Sequence, residues 1–521
     1  MAKSTLLKVE GLEVSFGNPS SSVVHGVSFE LKSGEILALV GESGSGKSIT
    51  CSALAGLLPP GGHITSGRCE HVPSGELWAR ADSDFRAPLG RGLSLVFQDP
   101  MSSLNPSMRV GWQVAESIIV HQGASKSEAR MAATRLLDEV EIPAPAEAFD
   151  KYPHELSGGQ KQRIMIALAL AAKPEVLIAD EPTTALDATV QKSILALLAK
   201  LQKERGMGVL FITHDLDVVG AIADRVLVMK KGTIVEAGEV AAVLENPQHP
   251  YTQALLNARN LARFEDAGFS PDVLIDAREV TKTFGDFTAI DGVSLSICKG
   301  ERIGLIGESG SGKSTLGRML IGMLAPTSGA IAFDGIPVDP NHRASMDALR
   351  KRAQLVFQDP YSALNPKLAV GSALREVLQH NGASHSDAAS GAVRLLEEVG
   401  LQASDAEKYP GEFSGGQRQR IVIARALAVE PEFLVLDESV AALDVQIQRD
   451  ILNLLADVGQ KRALTYLFIS HDLDVVASFC NRLIILQNGR VVERGETAQI
   501  LQHPSEAYTA ELLASRPKNL R

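Results

Sequence analysis

Cysteine is scarce in this chain. Four residues in 521, at Cys51, Cys69, Cys298 and Cys480, lie too far apart for a disulfide framework or a paired zinc site. Aromatic residues make up only 5%, so any core has to be built mainly from aliphatic side chains. Positive charge is in deficit: 51 Lys and Arg against 62 Asp and Glu leave a net charge of −11, which argues against a general nucleic-acid binder. No run approaches the ~18 apolar residues of a membrane-spanning helix. Work at a membrane is therefore expected to go through partners. The opening segment, MAKSTLLKVEGLEVSF, has no apolar stretch followed by a small-residue cleavage site, so secretion is not expected. With dispersed cysteines, this fits a reducing cytoplasm.

What the chain has is itself, twice. VGESGSGKSIT at 40–50 returns as IGESGSGKSTL at 306–316, and LVFQDPMSSLNP at 95–106 as LVFQDPYSALNP at 355–366. LSGGQKQRIMIALALA from 156 returns as FSGGQRQRIVIARALA from 413, and FITHDLDVV at 211–219 as FISHDLDVV at 468–476. The separation between copies shrinks up to the SGGQ segments and is constant after them, so insertions and deletions sit before that point. A repeat this long is a duplicated domain. Expected boundaries are residues 1–262 and 273–521, joined by a short polar linker at 263–272. In each copy apolar runs of strand length alternate with helical stretches. That predicts an α/β class with two tandem domains, each around a parallel-rich sheet. Residues 107–148 and 367–408, rich in Ala, Glu, Arg and Leu, predict a helical insertion.

Each glycine segment fits G-x-x-x-x-G-K-[ST] between a strand and a helix, the context that gives the motif meaning. The first comprises Gly41, Ser43, Gly44, Ser45, Gly46, Lys47 and Ser48, followed by Ile49; the second comprises Gly307, Ser309, Gly310, Ser311, Gly312, Lys313 and Ser314, followed by Thr315. Glycines allow successive N–H groups to face a polyphosphate, and the helix N-terminus adds its dipole. Lys47 and Lys313 are expected on the β- and γ-phosphates, Ser48 and Ser314 on Mg²⁺. Hydrolysis also needs a metal-binding carboxylate and a group that activates water. The strand ends VLIAD-Glu181 and FLVLD-Glu438 offer both: Asp180 and Asp437 for Mg²⁺, Glu181 and Glu438 as general bases. Strand alternation should point the second acid of each pair away from the metal.

These motifs together resemble the ATP-binding cassette ATPases, over nearly the whole chain and in two copies. The resemblance implies, in each domain, a P-loop core with an N-terminal antiparallel β part and a helical subdomain. Ser157, Gly158, Gly159 and Gln160 look like the family signature; Ser414, Gly415, Gly416 and Gln417 are its second copy, with Phe413 where Leu is usual. By resemblance, each signature caps the γ-phosphate held by the opposite cassette. Gln98 and Gln358 look like the loop glutamines that touch Mg²⁺ and sense a membrane partner. Asp187 and Asp444 look like the aspartates that communicate across the cassette interface, and His214 and His471 like the switch histidines at the γ-phosphate. Phe16 and Phe284 resemble the aromatic that stacks on adenine. Ser439 replaces the proline seen at Pro182, but neither half lacks a catalytic element, so two working sites are expected. The implied pairing is head to tail, a pseudo-dimer within one chain.

FQDPMSSLNP and FQDPYSALNP, with HPYTQALL at 249–256 and HPSEAYTAELL at 503–513, resemble the oligopeptide, dipeptide and nickel importer branch, in its fused form found in glutathione and microcin C importers. The implied partners are two membrane permeases docking near the Gln98 and Gln358 loops, and a solute-binding protein. No nucleic acid is expected. The implied location is peripheral, at the cytoplasmic face of the inner membrane. Implied cofactors are ATP and Mg²⁺. Residues 257–271 lack the cysteine cluster of several peptide-importer cassettes, so no iron–sulfur centre is expected. A nickel-chelate or opine importer and an exporter stay open, because cassettes meet permeases and not cargo. A soluble translation factor is disfavoured: its long basic linker is absent, residues 258–276 being short and acidic.

Overall fold

A strand buried on both faces reads as an unbroken apolar run. ILALV, VLIAD and GVLFIT behave this way in the computed structural model, which describes residues 4–17, 22–78, 89–90, 92–98, 103–183, 186–259, 264, 268–340, 342–357, 359–440 and 444–514. They form β3 (Ile36–Val40), β7 (Val176–Asp180) and β8 (Gly208–Thr213). With β6 (Leu93–Val96) and β9 (Arg225–Lys230) they pair in parallel, and antiparallel β10 (Thr233–Glu239) closes one edge in the order β10-β9-β3-β8-β7-β6. A second sheet is antiparallel, ordered β2-β1-β4-β5, from β1 (Thr5–Phe16), β2 (Ser22–Lys32), β4 (Gly62–His71) and β5 (Glu76–Trp78).

Alternation along each parallel strand separates two cores. Leu37, Leu39, Val176, Ile178, Leu210 and Ile212 face one cluster, shared with β1, β2 and the helix Lys47–Ala55. Ala38, Val40, Leu177, Ala179, Val209 and Phe211 face the other, shared with the helical subdomain. Each fully buried Leu, Val or Phe is worth about 1.5–3 kcal/mol over an exposed one. Two layers on opposite faces of one sheet follow directly from a period of two.

The helical subdomain starts and stops where local chemistry directs. Gly123 ends the helix Val110–Gln122 at φ 67, and a Ser125–Glu128 capping box starts the helix Lys126–Glu139. Phe149 is its buried plug: the Trp112 ring stands edge-on at 5.4 Å and the Arg130 guanidinium sits 4.3 Å over its face. A side chain at Gly111 would strike that ring, because a Cβ there would lie 2.2 Å from it.

The described residues divide into two compact units, 4–259 and 264–514. The second repeats the plan. Its core sheet is ordered β16-β17-β18-β13-β19-β20, from β13 (Arg302–Ile306), β16 (Ala353–Val356), β17 (Phe433–Asp437), β18 (Thr465–Ile469), β19 (Arg482–Gln487) and β20 (Arg490–Glu496). Its antiparallel sheet is β12-β11-β14-β15, from β11 (Val273–Phe284), β12 (Phe287–Cys298), β14 (Ser328–Phe333) and β15 (Ile336–Pro337). Helices Val370–His380, His385–Glu398 and Gly415–Leu427 form its helical part. The α/β class with parallel-rich core sheet, antiparallel part and helical subdomain is therefore realised in both units. Phe264, inside the stretch read as linker, donates its N–H to Ser478 O at 3.0 Å and packs edge-on against Phe479. It belongs to the second unit's core. Among the described residues no helix is long and apolar enough to cross a membrane.

Emptying the plug tests the packing of the first helical subdomain. Phe149→Ala should cost about 3–5 kcal/mol, read as a lower urea midpoint for the first unit; a loss below about 1 kcal/mol would contradict a close-packed plug.

Candidate functional site

Because β3, β7 and β8 run the same way, their carboxyl ends meet at one edge of the sheet, where open α/β sheets bind ligands. β3 delivers the glycine loop, β7 the acid pair, and β8 the histidine. In the loop, Gly44 and Gly46 adopt φ 78 and 104, and Gly310 and Gly312 adopt φ 80 and 104, a region open to glycine at little cost. Gly41 is required for a different reason: a Cβ there would lie 2.2 Å from Met229 O, as one on Gly307 would from Leu486 O. The loop is thus folded tightly onto β9, or onto β19.

The lysines are buried and turned inward. Lys47 Nζ donates to Gly41 O at 2.7 Å and Glu42 O at 2.9 Å; Lys313 Nζ donates to Gly307 O at 2.8 Å and Glu308 O at 2.7 Å. One residue on, Ser48 Oγ donates to Asp180 Oδ1 at 3.3 Å and Ser314 Oγ to Asp437 Oδ1 at 2.8 Å. Burial, followed by the charge of Glu181, pushes Asp180 up to about 6 against the pull of Ser48 and Lys47. Burial likewise raises Asp437. Each site therefore carries a hydroxyl and a carboxylate whose negative charge is poorly accommodated by the protein alone.

Glu181 and Glu438 owe their direction to a turn, not to strand alternation. β7 and β17 end at Asp180 and Asp437, and the following glutamates take left-handed φ values of 45 and 47. That conformation costs roughly 1–3 kcal/mol for a non-glycine residue. It is held by the next strand: Glu181 N donates to Ile212 O at 3.0 Å and Glu438 N to Ile469 O at 2.9 Å. The Glu181 carboxylate accepts from Gln98 Nε2 at 3.1 Å and lies 3.2 Å from His214 Nδ1; Glu438 lies 3.5 Å from His471 Nδ1. Gln358 lies outside the described residues. Burial depresses a histidine, but here the glutamate, helped by Asp215 or Asp472, outweighs it and raises both His214 and His471. The His471 contact, stronger than burial, holds Glu438 below its ordinary value.

The structure thus brings Lys47, Ser48, Gln98, Asp180, Glu181 and His214 together, and Lys313, Ser314, Asp437, Glu438 and His471. Ser43 and Ser309 are exposed on their loops, and Ile49 packs on the first core. The signatures stand at other helix starts. Ser157 Oγ accepts from Gln160 N at 3.3 Å while Gln160 Oε1 accepts from Ser157 N at 3.0 Å, and Ser414 and Gln417 repeat both bonds. The second glycine is a packing requirement: a Cβ on Gly159 would lie 2.6 Å from Val190, and one on Gly416 2.4 Å from Ile447. Around Gly158 the nearest atom, on Leu186, leaves ordinary contact distance, 3.7 Å. Asp187 and Asp444 cap the helices Ala188–Arg205 and Val445–Arg462. Of the two aromatics, Phe284 is half exposed with Lys282 Nζ 5.2 Å over its ring, whereas Phe16 packs on the first core beside Gly62.

One pair of contacts to the loops is not legible in the sequence motifs. Glu42 N donates to the Tyr251 hydroxyl at 3.2 Å, and Glu308 N to the Tyr508 hydroxyl at 3.1 Å. Their signal was present, since both tyrosines sit at matching places in the repeated segments after the last strand, but spacing alone does not join residues so distant.

A strand, glycine loop and helix with an inward lysine, built twice at the carboxyl edge of a parallel sheet, defines the P-loop nucleotide-binding class. The family model described as ABC transporter matches residues 24–184 and 290–441, and that described as oligopeptide/dipeptide transporter, C-terminal region, matches 235–267. The glutathione import ATP-binding protein GsiA of Salmonella typhimurium is 42% identical over 98% of this chain and 89% of that protein. The peptidoglycan transport ATP-binding protein YejF of Agrobacterium fabrum is 44% identical over 98% of this chain and 96% of that protein. The chain belongs to the ABC transporter family, as an ATP-binding ATPase with two cassettes.

The histidine–glutamate contact has a definite pH signature. A raised His471 stabilises the fold fully below the ordinary histidine value and loses that contribution as pH rises through the raised one. A lowered Glu438 contributes fully above the ordinary glutamate value and loses it as pH falls through the lowered one. Both contributions coexist at roughly pH 4.5–6.5. Glu438→Gln should therefore drop the His471 midpoint in an NMR titration, since burial and Lys313 then meet only the weaker pull of Asp472; an unmoved midpoint would show that the glutamate does not hold the histidine.

Proposed function

We propose that each unit binds ATP with Mg²⁺ in its glycine loop, that the two cassettes act as a head-to-tail pair, and that the chain drives uptake of peptides or related small solutes through membrane permeases. The observation that carries the reading is the acid after each strand, kept off the serine-bound aspartate and aimed by a histidine. It is built the same way in both units.

The residues fit the groups they would bind. Lys47 and Lys313, buried beside glycine amides, suit a polyphosphate, toward which their ammonium groups would turn from the loop carbonyls. Ser48 with Asp180, and Ser314 with Asp437, are hard oxygen donors of the kind Mg²⁺ takes. Gln98 and Gln358 would complete that shell. Bound Mg²⁺ would screen the phosphate charges and orient the terminal phosphate. Glu181 and Glu438 accept a proton from the attacking water, held in direction by His214 and His471. Phe284, and Phe16 with less of its ring free, would face adenine. Ser157 to Gln160 and Ser414 to Gln417 would each approach the nucleotide of the opposite loop, offering helix-start N–H groups and the dipole. With both cassettes on one chain, their encounter is intramolecular. ATP-driven closure is then the two-state motion that permeases near the Gln98 and Gln358 loops would follow.

Import of peptide-like solutes is supported by the match of residues 235–267 and by relatives whose names state glutathione import and peptidoglycan transport. A solute-binding protein would deliver the cargo, and the chain would sit peripherally on the cytoplasmic face of the membrane. Identifying the permeases that co-purify from native membranes, and screening their binding protein against peptides and metal chelates, tests the cargo.

Removing the base should separate binding from turnover. Glu181→Gln and Glu438→Gln should each retain ATP while lowering turnover at their own site about a hundredfold or more; wild-type ATPase rates in both variants would refute the assignment. With Mg²⁺ present, ATP should also shrink the radius of gyration in solution scattering and raise cross-linking between the units. Ser157→Arg or Ser414→Arg should abolish that closure, and closure that ignores ATP would rule out the head-to-tail pair.

A further inference from the structure

We propose that Tyr251 and Tyr508 are positioning residues for the two glycine loops, fixing the peptide that follows the first glycine so that the loop stays formed when its lysine turns to phosphate. The inference rests on the nucleotide-site reading above.

The peptide units at the start of each loop are gripped from two sides. Their carbonyls, on Gly41 and Glu42, accept from Lys47; the Glu42 N–H is taken by the Tyr251 hydroxyl. Gly307, Glu308, Lys313 and Tyr508 repeat the arrangement. When the ammonium is drawn to a phosphate, the carbonyl grip weakens. The phenol contact does not depend on nucleotide, so it keeps the N–H side of the loop in place. That lowers the ordering cost of binding, which is what pre-organisation contributes to affinity.

The tyrosines are themselves pinned from the sheet edge. Tyr251 opens the helix Pro250–Arg259, whose approach is tied by Glu236 of β10: Gln248 N donates to Oε1 at 2.8 Å and His249 N to Oε2 at 3.2 Å. In the second unit Glu493 of β20 accepts from Ser505 N at 2.9 Å and Glu506 N at 3.3 Å, ahead of the helix Ala507–Ala514 that carries Tyr508. For both glutamates burial pushes upward, but the donors around the carboxylate outweigh it, and both lie below the ordinary value. The flanking residues differ between copies, with His249 where the second has Glu506 and Lys230 over the first ring at 4.5 Å. Glutamate, tyrosine and loop N–H are the parts present twice. A phenol that merely satisfied itself would not need the same acceptor geometry on the same loop peptide in both copies.

Tyr251→Phe and Tyr508→Phe in the full chain remove the hydroxyl and keep the ring. Each should raise the Kd for a fluorescent ADP analogue, and the KM for ATP, about two- to tenfold, with KM rising more than kcat falls. Deuterium uptake of the peptide containing Glu42 or Glu308 should increase. A tyrosine that only packs would lower the melting temperature and leave Kd, KM and uptake unchanged, and that result overturns the proposal. Should either chain fail to fold, Glu236→Gln and Glu493→Gln decide by the same readouts, with a rise of about twofold expected and no rise counting against it. Lys47→Ala and Lys313→Ala separate the two levels. If they lose nucleotide while the Phe variants bind normally, only the tyrosine role falls; if they bind nucleotide normally, the nucleotide-site reading falls instead.

Discussion

Parallel pairing of β3, β7 and β8 is the constraint on which everything else depends. Three strands running the same way put three carboxyl ends on one edge, so a glycine loop, an acid pair and a histidine from distant sequence arrive within hydrogen-bonding reach. The same pairing holds the left-handed glutamate after β7, because the N–H that leaves the strand there is taken by Ile212 of β8. In the second unit β13, β17 and β18 do the same work.

Two cores on opposite faces make that edge rigid. Successive residues of one strand, Leu37 and Ala38 for example, belong to different clusters. A shift of register by one residue would exchange the two faces, so the positions of Lys47, Asp180 and His214 relative to one another are bound to the packing. The small residues are placed accordingly. Gly41 lets the loop lie on Met229 O, and Gly159 lets the signature helix lie on Val190, whereas Gly158 meets no such obstacle. The signature thus contains one glycine kept for packing beside one that leaves its backbone open.

Much of the architecture was legible in the sequence. The unbroken runs ILALV, VLIAD and GVLFIT specify strands buried on both faces, and their alternation with helical stretches specifies a parallel sheet, because such order has few other solutions. The copies reinforced one another. Less legible were features that depend on distance through space. The turn that aims Glu181 reads in sequence as simple strand alternation, since no residue pattern marks a left-handed glutamate. Phe16 and Phe284 hold equivalent places in sequence, yet the first packs on a core and the second is half exposed. Phe264 stands in a short polar stretch with the composition of a linker, although its ring meets Phe479.

The sequence by itself determined the duplication, the order of elements and the residue types at the carboxyl edge, because periodicity, glycine and charge act locally and survive translation into a string. Only the tertiary structure decided which of those residues touch. Tyr251 reaches Glu42 across 209 positions, and Tyr508 reaches Glu308 across 200. A hydrogen bond of that kind exists only once the sheet has closed and the last helix has been pinned against it, since its strength depends on a few ångströms of separation and not at all on the length of chain between.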